Sequence, residues 1–311
     1  MNIKKIHHAF VSSWILLAIL ICAYFFLRLQ GKWDNIDLLA STLIQVGIAL
    51  LLLQFNDIFA IIHRRTLLPA FFYIILAGSS LLFNLDWRTN LATLLIVINY
   101  VFLFQTYQKP DSQQNAFNIS LLLALGIFLQ PQLLLLFLLF WIGFYWFYSF
   151  NLRVFLASLT GVVLVYLFIF AWCIYQDDWK IGWKEFLTFL PKSGDVFSFR
   201  DVTIPPYRWV NLGIILLIYI FAGFNLFVTS ISENIKTVSF LKFLYISSFF
   251  VLAMAFLQSR NQSFWELAAY ISIALILAHY FTLTNKTYVR VLMILFMLTL
   301  FTVKLVQHFS P

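Results

Sequence analysis

Three short stretches each set an aspartate and a basic residue beside a tryptophan: Lys32-Trp33-Asp34, Asp86-Trp87-Arg88 and Asp178-Trp179-Lys180. Asp37 follows closely on the first. An indole face can stack on a sugar ring, and a carboxylate can accept a proton or a hydroxyl hydrogen bond. A guanidinium holds phosphate through paired N–H groups. On this chemistry the candidate catalytic residues are Asp34, Asp37 and Asp86. Asp34 or Asp37 would be a general base, and Asp86 would help hold a metal or the acceptor. The candidate substrate-binding residues are Arg88, Trp33, Trp87, Asp178 and Trp179, with Arg88 on the phosphate. The same residues also suit a plainer role, an interfacial belt of tryptophans with local charge pairs.

The elements that must position them are set by composition. The 311-residue chain is 63% hydrophobic, 20% aromatic and 10% charged. Soluble domains carry about a quarter charged residues, so a water-soluble fold is excluded. In lipid only helices or a closed barrel satisfy the backbone. A barrel needs alternating strands of about ten residues, whereas the apolar runs here, such as 121–129 and 133–141, are unbroken. The fold class is therefore all-α, a polytopic transmembrane helical bundle forming a single integral membrane domain over 1–311.

A spanning helix needs about 20 mostly apolar residues. That places spans near 10–27, 38–62, 67–85, 90–106, 117–129, 132–149, 154–175, 210–230, 240–257, 265–283 and 290–307, about 11 in all. Gln130-Pro131-Gln132 divides the fifth from the sixth. One continuous helix over 117–149 would run about 50 Å at 1.5 Å per residue, too long for one crossing. Two helices meeting at a proline turn, or a re-entrant hairpin, fit better. A single crossing there would reverse the sidedness of everything that follows.

With the N-terminus cytoplasmic, the inner segments carry ten basic residues: Lys4, Lys5, Arg64, Arg65, Lys109, Arg153, Lys236, Lys242, Lys286 and Arg290. The short outer segments carry five: Arg28, Lys32, Arg88, Arg260 and Lys304; the long loop adds Lys180, Lys184, Lys192, Arg200 and Arg208, which count less in this rule. This asymmetry favours that orientation. The formal net charge of +8 is then a topology signal. The bases are scattered singly, with no stripe for a phosphate backbone, so no nucleic acid is expected as a partner.

In this topology the acids gather outside: Asp34, Asp37, Asp86, Asp177, Asp178, Glu185, Asp195, Asp201 and Glu266, nine of twelve. Seven of ten tryptophans follow them. The one long polar interval, 176–209, becomes an exoplasmic loop. It opens with an amphipathic helix, where Trp179, Trp183, Phe186, Leu187 and Leu190 share a face opposite Lys180, Lys184 and Thr188. Pro191 stops it. Such a helix lies in the headgroup region, as a cover over an opening between helices or as a simple anchor.

Asp57 is the one carboxylate well inside an expected span, a position that often marks ion paths, although inner headgroups or Arg64 and Arg65 can satisfy it. Gln45, Asn99 and Asn225 are uncharged and suit hydrogen bonds across helices. The five histidines show no metal-ligand spacing, so no metal site is expected, and His279 reads as packed and bonded. Cys22 and Cys173 lie in apolar runs, where neither a disulfide nor a metal is expected. No phosphate loop, nucleophile elbow or zinc-protease helix is present, and no cofactor is named by any motif. The start resembles a signal sequence without a small-residue cleavage site, so it reads as an uncleaved first helix.

The run Arg88-Thr89-Asn90 through Gln105, then Asn115-Ala116-Phe117-Asn118-Ile119-Ser120-Leu121, then 133–140, resembles an uncharacterised family of polytopic inner-membrane proteins of Bacteroidota. The likeness extends over about 64–215. It implies a multi-pass protein of the cell inner membrane and carries over no catalytic residue. Together with the outer-face acids, it leads to the expectation of an enzyme or accessory acting on a polyprenyl-linked or other lipid-linked glycan at the periplasmic face, in contact with membrane lipid. The alternatives are a non-enzymatic membrane subunit of an envelope assembly with a protein partner, or a transporter or flippase using Asp57.

Overall fold

The computed structural model describes residues 13–29, 35–62, 66–79, 86–176, 234–258 and 262–283, with isolated positions between 183 and 224 and between 291 and 295. All regular structure among them is helical. The helices are α1 (Trp14–Leu29), α2 (Ile36–Phe59), α3 (Leu68–Ser79), α4 (Trp87–Phe104), α5 (Gln113–Ile127), α6 (Leu133–Trp146), α7 (Leu152–Gln176), α8 (Ile235–Leu257) and α9 (Gln262–Leu283). Of these, α2, α4, α7, α8 and α9 are long and apolar enough to cross a bilayer. The chain is thus a helical protein with membrane-spanning segments. Helices α1, α3 and α6 are apolar but shorter. Most of the expected span at 290–307 and half of that at 210–230 fall outside the described residues.

The chain divides into two compact units, Met1–Asn90 with Asp201–Pro311, and Leu91–Arg200, so that α4 begins in one and continues in the other. In the first unit α9 is the core. Its spanning stretch is 100% buried, and it packs against α8, α3 and α2. It carries polar side chains into that core as well, with Gln262, Glu266, Ser272, His279 and Thr282 all buried. Phe72 of α3 stacks on Phe281 of α9 at 5.4 Å, Phe59 of α2 meets Phe240 of α8 edge-on at 5.8 Å, and Ser247 and Ser272 share a hydrogen bond of 3.1 Å between α8 and α9.

Helix α2 has clear ends. Asn35 caps it by accepting from the Leu38 N–H at 3.2 Å. Ala60, at φ 49°, closes it in the left-handed conformation. The Asn56 side chain then takes the Ile62 N–H at 2.9 Å. This stop falls earlier than the expected boundary at 62, and it moves Asp57 into the last turn, where the side chain is exposed. Asp57 is therefore a helix-end acid rather than a mid-span one.

In the second unit, the segment from α4 to α7 settles how α5 and α6 run. The Gln108 N–H donates to the Phe147 carbonyl at 2.9 Å, Ser149 Oγ to Thr106 Oγ1 at 3.3 Å, and Asn151 Nδ2 to the Pro110 carbonyl at 2.8 Å. The chain leaving α4 and the chain entering α7 therefore lie side by side. Between them α5 runs out, turns through Gln130, Pro131 and Gln132, and α6 runs back. A single crossing over 117–149 would separate those loops by about 30 Å of hydrocarbon, so it is excluded. Either two passes or a re-entrant hairpin keeps the parity on which the eleven-span count depends.

Helix α7 is the opposite of α9, with only 22% of its spanning stretch buried. Beyond it, Trp183, Phe186 and Leu187 are helical. Phe186 meets Tyr166 at 6.4 Å and Phe170 at 5.2 Å, and Trp183 meets Phe170 at 5.7 Å. Tyr166 lies ten positions before the end of α7, about 15 Å along its axis. These two apolar side chains thus pack against the last three turns of α7. The remainder of the expected amphipathic helix over 179–190 is outside the described residues, Leu190 apart.

Candidate functional site

Four helices of the first unit converge on Arg28. The residue stands one position from the end of α1, where a cation complements the helix dipole. Only 7% of it is exposed. Its Nη1 donates to the Tyr24 hydroxyl at 2.7 Å and to Gln45 Oε1, and its Nη2 donates to Ser41 Oγ at 2.8 Å. The Tyr24 hydroxyl also donates to Gln45 Oε1. Tyr24 lies one turn before Arg28 on α1, and Ser41 and Gln45 one turn apart on α2. Two helical faces at four-residue spacing thus place all the ligands of the guanidinium.

The cluster extends to α4. Gln45 Nε2 donates to Asn90 Oδ1 at 2.7 Å, and Asn90 Nδ2 donates to the Asp86 carbonyl at 3.2 Å. The end of α1, the first turns of α2 and the first turn of α4 are therefore joined in one hydrogen-bonded chain. Tyr73 of α3, fully buried, lies within electrostatic range of Tyr24 and Arg28.

Every acceptor around Arg28 is neutral, and no carboxylate among the described residues pairs with it. The one ion pair among those residues joins Arg88 Nε to Asp86 Oδ2 at 4.0 Å, with side chains 59% and 50% exposed. Two buried donors of this corner find no acceptor, Arg28 Nε and the Tyr73 hydroxyl. Taking a charge out of water costs several kcal/mol unless it is paired and bonded. Among the described residues, this buried cation keeps a free N–H and meets only neutral partners.

The sequence-predicted site residues fall around this cluster or beyond description. Asp37 is exposed in the first turn of α2, one turn before Ser41. Asp86 immediately precedes α4, and Trp87 and Arg88 form its first turn, with the Arg88 guanidinium 5.7 Å from the Trp87 ring. The chain from Arg28 through Gln45 and Asn90 thus ties the Asp86-Trp87-Arg88 turn to the helix end that bears Asp37. Trp33, Asp34, Asp178 and Trp179 lie outside the described residues.

Sequence reasoning counted Arg28 only as a loop charge setting topology. It is instead a buried helix residue, and Tyr24, Ser41, Tyr73 and Asn90 went unassigned with it. The visible signal was Tyr24 and Arg28 at four-residue spacing. The decisive partner, Gln45, is 17 positions away in sequence. Gln45 makes the cross-helix bonds expected of it, whereas both side-chain polar atoms of Asn99 are buried with no partner among the described residues. His279 is buried and partnered. The described residues hold no group of three or more His, Cys, Asp or Glu placed to bind a metal, and Cys22 and Cys173 are both free thiols. No family model, no curated protein and no solved structure matches the chain.

Proposed function

We propose that this is a multi-pass protein of a Gram-negative inner membrane, N-terminus cytoplasmic, that acts on a lipid-linked glycan at the periplasmic face. The reading places it with the Bacteroidota inner-membrane proteins that its 64–215 region resembles. The observation that supports it is the hydrogen-bonded chain from Arg28 through Gln45 to Asn90. It gathers at one end of the first unit the helix starts that bear Asp37, Asp86 and Arg88. In this reading Asp34 or Asp37 is the general base, Asp86 orients the acceptor, and Arg88 with Trp87 meets the substrate from water. Trp33, Asp178 and Trp179 contribute stacking and hydroxyl contacts to the sugar. The substrate is polyprenyl-linked, reaching its site from the lipid beside α1.

The test is genetic. Asp34→Asn, Asp37→Asn and the double variant, at wild-type protein levels, are expected to lose an envelope-glycan phenotype. Normal glycan in all three would remove the enzyme reading.

A further inference from the structure

The unpaired Arg28 corner names a ligand class. A guanidinium presents Nε and Nη2 side by side as a fork that matches two oxygens of a phosphate. Here Nε has no acceptor, and Nη2 has only the Ser41 hydroxyl at 2.8 Å. Ser41 does not depend on that contact, because its hydroxyl donates to the Leu38 carbonyl at 2.9 Å. A phosphate oxygen can take its place at little cost. The third donor, the Tyr73 hydroxyl, is buried on α3, which packs against both α1 and α2, and likewise lacks an acceptor. The opposite edge of the guanidinium is held by Tyr24 and Gln45, so the fork is fixed in direction before any ligand arrives.

The position suits a headgroup. Helix α1 shows its apolar side outward, with Trp14 63%, Ile19 58% and Phe26 72% exposed, so it borders lipid. Arg28 is one residue from its end, where an apolar helix gives way to polar chain and a lipid phosphate would be met. We infer that Arg28, with Tyr73, forms a phosphate-binding site at the outer end of α1, taking a monoester or diester phosphate such as that of a lipid headgroup. The inference rests on the proposed function for the lipid tail but not for the phosphate. In it Arg28 is the phosphate anchor, and Arg88, more than half exposed, is left to the water-facing part of the substrate.

The experiment uses the full chain purified in mild detergent, with unfolding followed by tryptophan fluorescence. A polyprenyl monophosphate is titrated against the matching polyprenol, and inorganic phosphate against chloride at equal ionic strength. The monophosphate is expected to raise the melting temperature where the polyprenol does not. Arg28→Gln is expected to weaken this binding at least about tenfold, and Tyr73→Phe about fivefold, the loss of one hydrogen bond. A response to inorganic phosphate alone would show that the free anion suffices, and a response only to the lipid would show that the tail is needed. Either supports the site. Tyr73→Phe keeps the ring and its packing, so it decides the matter even if Arg28→Gln fails to fold. No phosphate-dependent shift in the wild type, or an unchanged one in Tyr73→Phe or Arg28→Gln, overturns the proposal. Arg28-dependent binding alongside normal glycan in the aspartate variants would remove only the enzyme reading. Glycan loss in those variants without phosphate binding would remove only this one.

Discussion

The two units join their helices by opposite means. In the first, α1, α2 and α4 meet through side-chain polar atoms around Arg28. In the second, α5 and α7 meet because a side chain is missing. A Cβ on Gly161 of α7 would lie 2.7 Å from the Phe117 carbonyl and 3.1 Å from the Leu121 nitrogen of α5, so the backbones touch. Small residues and polar bridges are the two ways helices associate where lipid removes the hydrophobic incentive. The difference teaches where to look for function. At the Gly161 contact the one nearby side-chain hydroxyl, Ser120 Oγ, is met within its own helix by the Phe117 carbonyl. The Arg28 junction leaves a charge and two donors over, more polarity than holding three helices together requires.

The largest expected effect breaks the second junction. Gly161→Leu cannot be relieved by a rotamer change because the obstacle is backbone, and overpacking of this kind costs about 1–3 kcal/mol or more. It should make 91–176 protease-sensitive in detergent while the first unit keeps its protection; wild-type protection of both would mean the contact is not tight. Next comes Gln45→Leu, which removes an acceptor from Arg28 and Tyr24 and a donor from Asn90. Orphaned buried groups cost about 1–3 kcal/mol, so thermal melting should fall by several degrees. Ser120→Ala sharpens the contrast. Its hydroxyl bonds only the Phe117 carbonyl within its own helix, and a change within about 0.5 kcal/mol is expected. A melting loss equal to that of Gln45→Leu would erase the distinction between the units. Opposite in sign is Gly47→Ala, where an added Cβ meets nothing within 4 Å. Helix propensity alone should stabilise by about 0.5–1 kcal/mol, and any destabilisation would place a neighbour there.

How much of this was legible in the sequence varies with the range of the interaction. Helical membrane character follows from composition, since nothing local opposes it. The break between α5 and α6 was legible because Gln130-Pro131-Gln132 is a local signal, yet only the long-range bond from Gln108 to Phe147 shows that the chain returns to the side it left. The end of α2 was misplaced because Asn56 and Ala60 terminate it within an apolar stretch that hydropathy reads straight through. The apolar spacing of Trp183 and Phe186 does not say what covers them, and it is the ring contacts that bring both to Phe170 of α7. Arg28 was the hardest to see. A basic residue at the end of an apolar run looks like any other topology charge until Gln45, Ser41 and Asn90 are brought to it by the fold. Asp37, Asp86 and Arg88 were legible as chemistry-bearing types, and the cluster supplies a physical reason for grouping the turns that carry them.

The account depends on those turns sharing one water–lipid boundary, with the α4–α5 and α6–α7 connections at the other. Single cysteines at Asp37, Asp86, Lys109 and Arg153, in a chain with Cys22 and Cys173 replaced, would be labelled with a membrane-impermeant thiol reagent in intact spheroplasts. The account predicts that Asp37→Cys and Asp86→Cys react from outside, while Lys109→Cys and Arg153→Cys react only after permeabilisation. Labelling of Asp37→Cys and Asp86→Cys from opposite sides would contradict it.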